Sequence, residues 1–599
     1  MSLTELQRWA LMVAFVFGGC SAMAVGQATR SITVESTTVL SSDAPRTPHV
    51  ESWLAANPRD PKNLIAVADA INGTAASGVA IYYTKNGGKT WHRSKSSEAS
   101  GYFHGTDPSV SFGPNGDAYF VNEDNSRIFA YRSENGGESW QGPFILDGDD
   151  HPVIAVDASD GAYHNRVYYA ASGVTNTPQG DAGSSIEFGY SDDGIEFRQR
   201  NFLVSQKAQD GKQYWPSITD LAVAPDGTVV LIYSGDAPAP DGQFSTTTEY
   251  WIITSSNGGR TFTEPHHVVT STLPADQDRA GRIICFSKVA IDSSSGPRRG
   301  RIYLAYPTLV DGWERIKVVH SDDYGQTWEN SAEAGHDSTH TDQGVPAIAV
   351  SGDGIVGVSW YDRRKATAND CFQGYFSASL DGGLTFLPAI ALQDSQTCPT
   401  APGNQRLHGA YSHADGGKWL YSVDTAASRF PNGGETQGLV GTDSGEFQLV
   451  WTNGETGVMQ LVSSAVRVGV HPLGRDVTDR VQAKISPPEF NAASHQLSVQ
   501  VSLTNLSREP MVAPLCLELL SADSGSEVLH AFNAQNSLGD AGAIWLLNPS
   551  HDADRLDPSL ASAPTTLVFE SKIAPTKSAA TNVSADFGMM FHIFDGCRK

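Results

Sequence analysis

One octet, Ser-Asp-Asp-Tyr-Gly-Gln-Thr-Trp at Ser321–Trp328, recurs along this chain and limits what it can fold into. The same pattern reads TKNGGKTW at Thr84–Trp91, SENGGESW at Ser133–Trp140, SSNGGRTF at Ser255–Phe262 and SLDGGLTF at Ser379–Phe386. A shortened copy, SDDGIEF, occupies Ser191–Phe197. A small hydroxyl residue is followed two positions on by Asp or Asn, then by Gly, and the octet closes on an aromatic. This is the chemistry of a tight hairpin turn. The Asp or Asn oxygen accepts from backbone N–H groups further along, and Gly takes the φ > 0 position. Starts at 84, 133, 191, 255, 321 and 379 lie 49, 58, 64, 66 and 58 residues apart. Repeats of that length in a strand-rich chain mean blades or solenoid turns and exclude a doubly wound sheet.

A four-strand unit repeats around the octets. Its first strands start with an acidic, Pro or small residue and run into apolar cores at Glu51–Ala56, Asp107–Phe112, Asp150–Asp157, Trp215–Ala224, Phe286–Asp292 and Pro346–Val350. Runs such as Val153-Ile154-Ala155-Val156 are apolar on both faces, as buried innermost strands require. A seventh unit lacks the octet, with strands at Gln437–Gly441, Phe447–Trp451 and Val458–Ser463. The isolated strand Ser31–Ser41 supplies its missing fourth strand, so that the two ends of the array pair and close a ring. From about Val466 the pattern changes to widely spaced strands such as Gln496–Leu503, Ala513–Leu520 and Thr565–Ser571.

The octets resemble the Asp-box (BNR) repeats of the sialidase superfamily, over roughly residues 45–465. The expectation is an all-β protein: a β-propeller of seven blades, with six, the sialidase number, as the alternative, followed by an immunoglobulin- or fibronectin-like β-sandwich. Domains are expected at residues 1–24 for a leader, 31–465 for the propeller and 466–599 for the sandwich. The resemblance also implies that the boxes lie on the mouth of the ring away from the active site.

With Lys+Arg 41 against Asp+Glu 66, the formal net charge is −25. So acidic a chain without a basic stripe repels nucleic acid and anionic membranes. Arg8 precedes the apolar run Ala10–Phe17, too short to span a bilayer but suited to a signal peptide. Processing at Ala22-Met23-Ala24 gives a secreted or periplasmic protein; lipidation at Cys20, in a lipobox-like Phe17-Gly18-Gly19-Cys20, gives an outer-surface lipoprotein with a lipid anchor. Both routes export the chain, and no later segment is apolar enough to span a membrane. Export invites disulfides, expected as Cys371–Cys398 and Cys516–Cys597.

Strand direction places the start of each first strand and the end of each second strand on one mouth. Reading that mouth gives Glu51, Asp69, Asp107, Glu123, Asp149, Asp150, His151, Tyr214, Trp215, Asp236, Asp342, Tyr361, Asp362, Arg363, Arg364 and Glu435. Asp362, Arg363, Arg364, Asp107 and Asp150 are the catalytic candidates: carboxylates supply acid–base groups and a guanidinium fork holds an acidic sugar. Tyr214, Trp215, Tyr361 and Glu435 are ligand-binding candidates, the aromatics as stacking platforms. Arg46 and Arg282 join them through the resemblance, which implies three arginines around a substrate carboxylate. The middle residue of Arg46-Thr47-Pro48 departs from the family's Arg-Ile-Pro, and no Tyr–Glu nucleophile pair is assignable by spacing. Glu51, Asp107, Asp150 and Asp342 could hold a divalent cation, calcium being the one that carboxylates suit, or could cap backbone turns. The reading adopted is that no cofactor is needed and that Arg363 and Arg364 offset the acidic ring. The polar run His336, Asp337, His340, Asp342 reads as a solvated loop.

Two functions remain open from sequence. One is an exported, sialidase-like glycoside hydrolase acting on acidic glycans. The other is a non-catalytic surface propeller that binds a glycan or a partner protein.

Overall fold

The computed structural model describes residues 30–599 apart from 72–77, 97–100, 125–126, 177–181, 205–214, 237–246, 275–285, 336–338, 367–368, 415–417, 443–444, 471–474, 525–526, 536–542, 551–553, 571–586 and 596–599. The leader and Cys20 therefore lie outside the described residues, as do Tyr214, Arg282, His336, Asp337 and Cys597. Two compact units appear, one over Ile32–Val468 and one over Gly469–Lys599.

The first unit is a seven-bladed propeller of antiparallel sheets. Six blades take their strands in chain order, four in each sheet except the first, which adds the short strand Phe103–His104, with first strands at His49–Asn57, Thr106–Phe112, Asp150–Val156, Trp215–Val223, Lys288–Ile291 and Gln343–Val350. These first strands contact one another in sequence. The seventh blade has Gly438–Gly441 innermost, and that strand contacts both the sixth first strand and the first, closing the circle. Its outermost strand is Arg30–Val39, bonded to Gln460–Val470. Arg467 ion-pairs with Glu35 at 2.6 Å, Leu40 N donates to Leu461 O at 2.8 Å, and Leu461 N donates to Ser41 Oγ at 2.9 Å. The N-terminal strand thus closes the ring as its alternating sequence predicts. An extra hairpin, Leu407–Ala414 with Lys418–Thr425, lies in sequence between blades six and seven.

Each octet turns between third and fourth strands. In the box at Ser133, the hydroxyl bonds Asn135 Oδ1 at 2.9 Å and accepts from Gly137 N at 3.0 Å, while Asn135 Oδ1 accepts from Ser139 N at 3.1 Å. The same three-way lock recurs at Ser321–Thr327 and Ser379–Thr385. Gly137 has φ +93°, and a Cβ there would meet Ile65 of the preceding blade at 2.7 Å, so both conformation and close approach require glycine. Neighbouring boxes are also tied together. Asn63 Nδ2 donates to Thr84 O and Gly136 O, both at 3.0 Å. Arg166 bonds Asp192 at 2.7 Å and Gly258 O at 3.0 Å; Arg301 bonds Asp322 at 2.6 Å and Gly382 O at 3.0 Å. The octets are therefore structural clamps between blades, on the mouth opposite the first-strand starts.

The second unit has two antiparallel sheets of five strands each, plus a two-stranded ribbon. Leu497, Val499, Val501 and Leu503 of one sheet share a core with Leu515, Leu517, Leu519 and Ile593 of the other, around Trp545. The sheets and shared core make a sandwich; the immunoglobulin or fibronectin type stays an expectation. Cys371 and Cys398 form a disulfide with Cα atoms 4.3 Å apart. Cys516 is also disulfide-bonded, and its expected partner, Cys597, is outside the described residues.

Removing residues 30–39 strips the outer strand from blade seven and bares a sheet edge. The expected outcome is a loss of at least about 3 kcal/mol, from a row of ladder bonds worth roughly 1 kcal/mol each. Urea unfolding of the shortened and full chains measures it.

Candidate functional site at the central mouth

A repeated backbone device shapes this mouth. In blades one, two, three and six, the ladder between first and second strands skips register between Val50 and Trp53, Thr106 and Ser109, Asp150 and Val153, and Gly344 and Ala347. Within each skip sits one residue of left-handed backbone: Glu51 (φ 54°), Asp107 (φ 51°), His151 (φ 48°) and Val345 (φ 53°). Such bulges re-aim a side chain, and left-handed non-glycine residues are strained positions that cluster at functional sites. Glu51, Asp107 and His151 line one cavity together with Trp53, Phe286, Lys288 and Glu435.

At its centre is the His151 imidazole. Nδ1 lies 3.7 Å from Asp107 Oδ2, and Nε2 lies 3.6 Å from Asp150 Oδ2 and 3.3 Å from Glu435 Oε2. The Phe286 ring sits 4.7 Å away, centroid to centroid. Burial opposes a charge on His151, but Glu435, Asp107, Asp150 and Glu123 together outweigh it and lift its pKa to about 9. Burial pushes Glu435 up to about 7 despite the opposing pull of His151. Beneath them, Asp69 Oδ1 accepts from Asp107 N at 3.1 Å, tying blade one to the bulge of blade two. Burial, reinforced by Asp107 and Asp69, holds the Glu51 carboxyl well above the usual carboxylate range; burial and Asp107 do the same to Asp69.

Below this layer runs a channel of about 330 Å³ lined by the first strands of all seven blades. Lys288 stands where cavity and channel meet, buried, with Nζ 3.3 Å from the Trp53 ring centroid and no hydrogen-bond partner among the described residues. Burial lowers its pKa to about 8, against the pull of Asp220. Asp220 itself accepts from Leu221 N at 2.9 Å and Val289 N at 2.8 Å.

Of the residues singled out in the sequence, Glu51, Asp107, Asp150 and Glu435 converge here, with Asp69 and His151. The catalytic candidates Asp362, Arg363 and Arg364 do not line the cavity. Asp362 is fully buried and accepts five bonds: from Trp360 Nε1 at 2.8 Å, Gln343 Nε2 at 3.2 Å, and Arg364 N, Nε and Nη2 at 2.9, 2.9 and 2.6 Å. Arg364 also lies 4.3 Å over the Tyr375 ring, and Arg363 is buried, donating to Asn369 O at 3.3 Å. The arginines knit blade six together rather than offsetting the acidic ring; His151 faces that ring instead. Asp342 is likewise structural, accepting from Glu314 N at 3.0 Å and Asn369 Nδ2 at 2.6 Å, and it is buried rather than solvated. The Tyr361 hydroxyl accepts from Thr452 N at 2.9 Å within the core, so it offers no stacking platform. Arg46 is exposed in a turn ahead of blade one. Trp215 opens the first strand of blade four, and its side chain is outside the described residues. Lys288 went unread in the sequence, although a lysine inside the apolar run Phe286–Asp292 was the available signal.

The repeat model that matches this chain is the BNR/Asp-box repeat, over residues 82–93. The chain carries an Asp-box repeat on a propeller fold. No curated protein matches it. Among solved structures, the propeller is similar to a protein of unknown function from Dyadobacter fermentans, at 17% identity over 60% of this chain and 94% of that one, with a TM-score of 0.28. It is similar to the α-L-arabinofuranosidase Arb93A from Fusarium graminearum, at 14% identity over 60% and 92%, with a TM-score of 0.33. A polysaccharide lyase, the PL25 ulvan lyase, gives 10% identity over 71% and 94%, with a TM-score of 0.36. The blade count rests on the sheet topology and not on these likenesses.

The buried amine gives a pH-dependent prediction. Lys288 has a folded pKa of about 8 against 10.5 unfolded, so its burial cost is fully present below pH 8 and fades as pH rises toward 10.5. Relative to Lys288→Met, the natural protein should gain up to about 3 kcal/mol between pH 7 and pH 10.5. Urea unfolding of both proteins at several pH values reads this; an unchanged difference would show that the amine is hydrated.

Proposed function

We propose that this is a carbohydrate-active propeller whose working centre is the His151, Glu435, Asp150 and Asp107 constellation. One observation carries the reading: three carboxyl groups from three blades sit within 3.7 Å of a single imidazole, at a mouth that leaves the Asp150 side chain 51% exposed. Carboxyl groups held around a fixed centre are what cleavage of a glycosidic bond needs, one to protonate the leaving oxygen and another to act as base or nucleophile. Glu435 is suited to the first role and Asp107 or Asp150 to the second. Strained backbone at Asp107 and His151 keeps both side chains aimed before any substrate arrives.

The finer reading, a sialidase-like hydrolase of acidic glycans, needs cations at the site; among the described residues that line the cavity these are Lys288 and His151, set behind Asp150 and Glu435. It draws none from Arg363 and Arg364, which are used inside their blade. The Cys371–Cys398 disulfide supports an exported protein, since such bonds persist in oxidising compartments. Among the described residues no helix is long and apolar enough to cross a membrane.

A panel of fluorogenic glycosides, including sialosides and uronides, tests the activity on the purified protein. Turnover of at least one member is expected, with kcat/KM falling about 100-fold or more in Glu435→Gln. Binding on a glycan array without turnover would replace the enzyme by a binding module. Neither turnover nor binding would overturn the carbohydrate reading.

A further inference from the structure

The carboxylates of Glu51, Asp69 and Asp107 form a second, deeper group in the same mouth. One ligand oxygen from each lies within 4.8 Å of the others. They come from two blades: Glu51 and Asp69 stand on the paired first and second strands of blade one, and Asp107 on the first strand of blade two. The neighbouring trio of Asp107, Asp150 and His151 contains its own cationic ring, whereas this trio contains only carboxylates.

Two further observations point to a bound ligand. Among the described residues, no donor outside the trio reaches Glu51 Oε2 or Asp69 Oδ2, buried on residues 4% and 0% exposed. Turn capping, the ordinary reason for a carboxylate at a strand start, accounts for Asp69 Oδ1 on Asp107 N and leaves those two oxygens facing only the other carboxyl groups of the trio. The inner part of the cavity that Glu51 and Asp107 line holds about 30 Å³, room for an ion or a water.

We infer that Glu51, Asp69 and Asp107 bind one divalent cation of the calcium type at the inner end of the mouth. Three carboxylates offer up to six oxygens, all hard donors, which suits Ca²⁺ over the softer transition metals. The ion joins blade one to blade two at the bulges and removes the mutual repulsion of the carboxylates. It also fixes Asp107, whose Oδ2 lies 3.7 Å from His151 Nδ1, so the metal site serves as a floor for the working centre above it. The inference stands on the deep oxygens and does not depend on the glycan reading.

Full-length protein stripped with EDTA and moved into metal-free buffer is titrated with CaCl₂ by calorimetry, and its melting temperature is followed in parallel. One calcium per chain should bind and raise the melting temperature. Glu51→Gln and Asp69→Asn should each weaken calcium binding at least about tenfold. Both variants relieve carboxylate repulsion, so their metal-free melting temperatures should equal or exceed that of the stripped natural protein. Glu435→Gln should still bind calcium, which separates a failure here from a failure of the carbohydrate reading. No heat and no shift in melting temperature with calcium would overturn the inference, as would undiminished binding in the Glu51→Gln, Asp69→Asn double variant. Tight zinc binding lost in His151→Ala, with no calcium response, would also overturn it by moving the metal to the histidine trio.

Discussion

Ring closure is the constraint on which everything else in the propeller depends. Each blade buries one face against the next, so a ring left open exposes an apolar sheet face and a sheet edge. Here the ends are fastened by sequence-distant strands, Arg30–Val39 on Gln460–Val470, inside one sheet. The opposite mouth is fastened by the boxes, whose side-chain locks and Arg166 and Arg301 bridges tie blade to blade. With both circuits closed, the first-strand starts can carry strained, charged residues.

The bulges show how one backbone device is used in two ways. Blade six has the same register skip and the same left-handed residue as blades one to three, but there the residue is Val345, buried and without chemistry. The kink therefore belongs to the fold, and the side chain placed on it belongs to the site. Three of the four such positions carry Glu, Asp or His, where apolar side chains are tolerated by the same geometry. A valine in left-handed backbone is itself a costly choice, since β-branched residues rarely adopt it. Its presence shows that packing around the axis, not residue preference, sets the backbone there.

Much of the fold was legible because its signals are local. The box is a turn with its chemistry written in eight consecutive residues, and the apolar first strands announce themselves as unbroken runs. The closing role of Arg30–Val39 was readable by counting strands. The site was legible only where position along a strand decides the outcome: Glu51, Asp107, Asp150 and Glu435 reach one mouth because each stands at or just before the start of an innermost strand. Partners across blades were not legible. Asp362 and Arg364 look like a site from their density, yet Trp360 and Gln343 complete an internal network that only the folded sheet supplies. Asp342 failed for the same reason, since Asn369 reaches it from the next turn of chain. Lys288 was hidden by the opposite bias, a charged residue read as part of an apolar strand.

The electrostatics of the mouth restrict what can enter it. Carboxyl groups outnumber cations there, His151 already faces three of them, and Lys288 lies below the opening with Asp220 as its counter-charge. An anionic group arriving from solvent first meets Asp150 and Glu435, the more exposed members of the cluster, and is repelled before it can reach either cation. A neutral polyol meets no such barrier, because carboxylates accept from hydroxyl groups without charge conflict. An acidic sugar gains entry only if something positive comes forward first, either a cation held by the deep carboxylates or the Lys288 amine exchanging Trp53 for the ligand. If the Glu51, Asp69 and Asp107 group holds the proposed divalent cation, its charge offsets part of that repulsion; without it, the carboxylates dominate the field of the mouth.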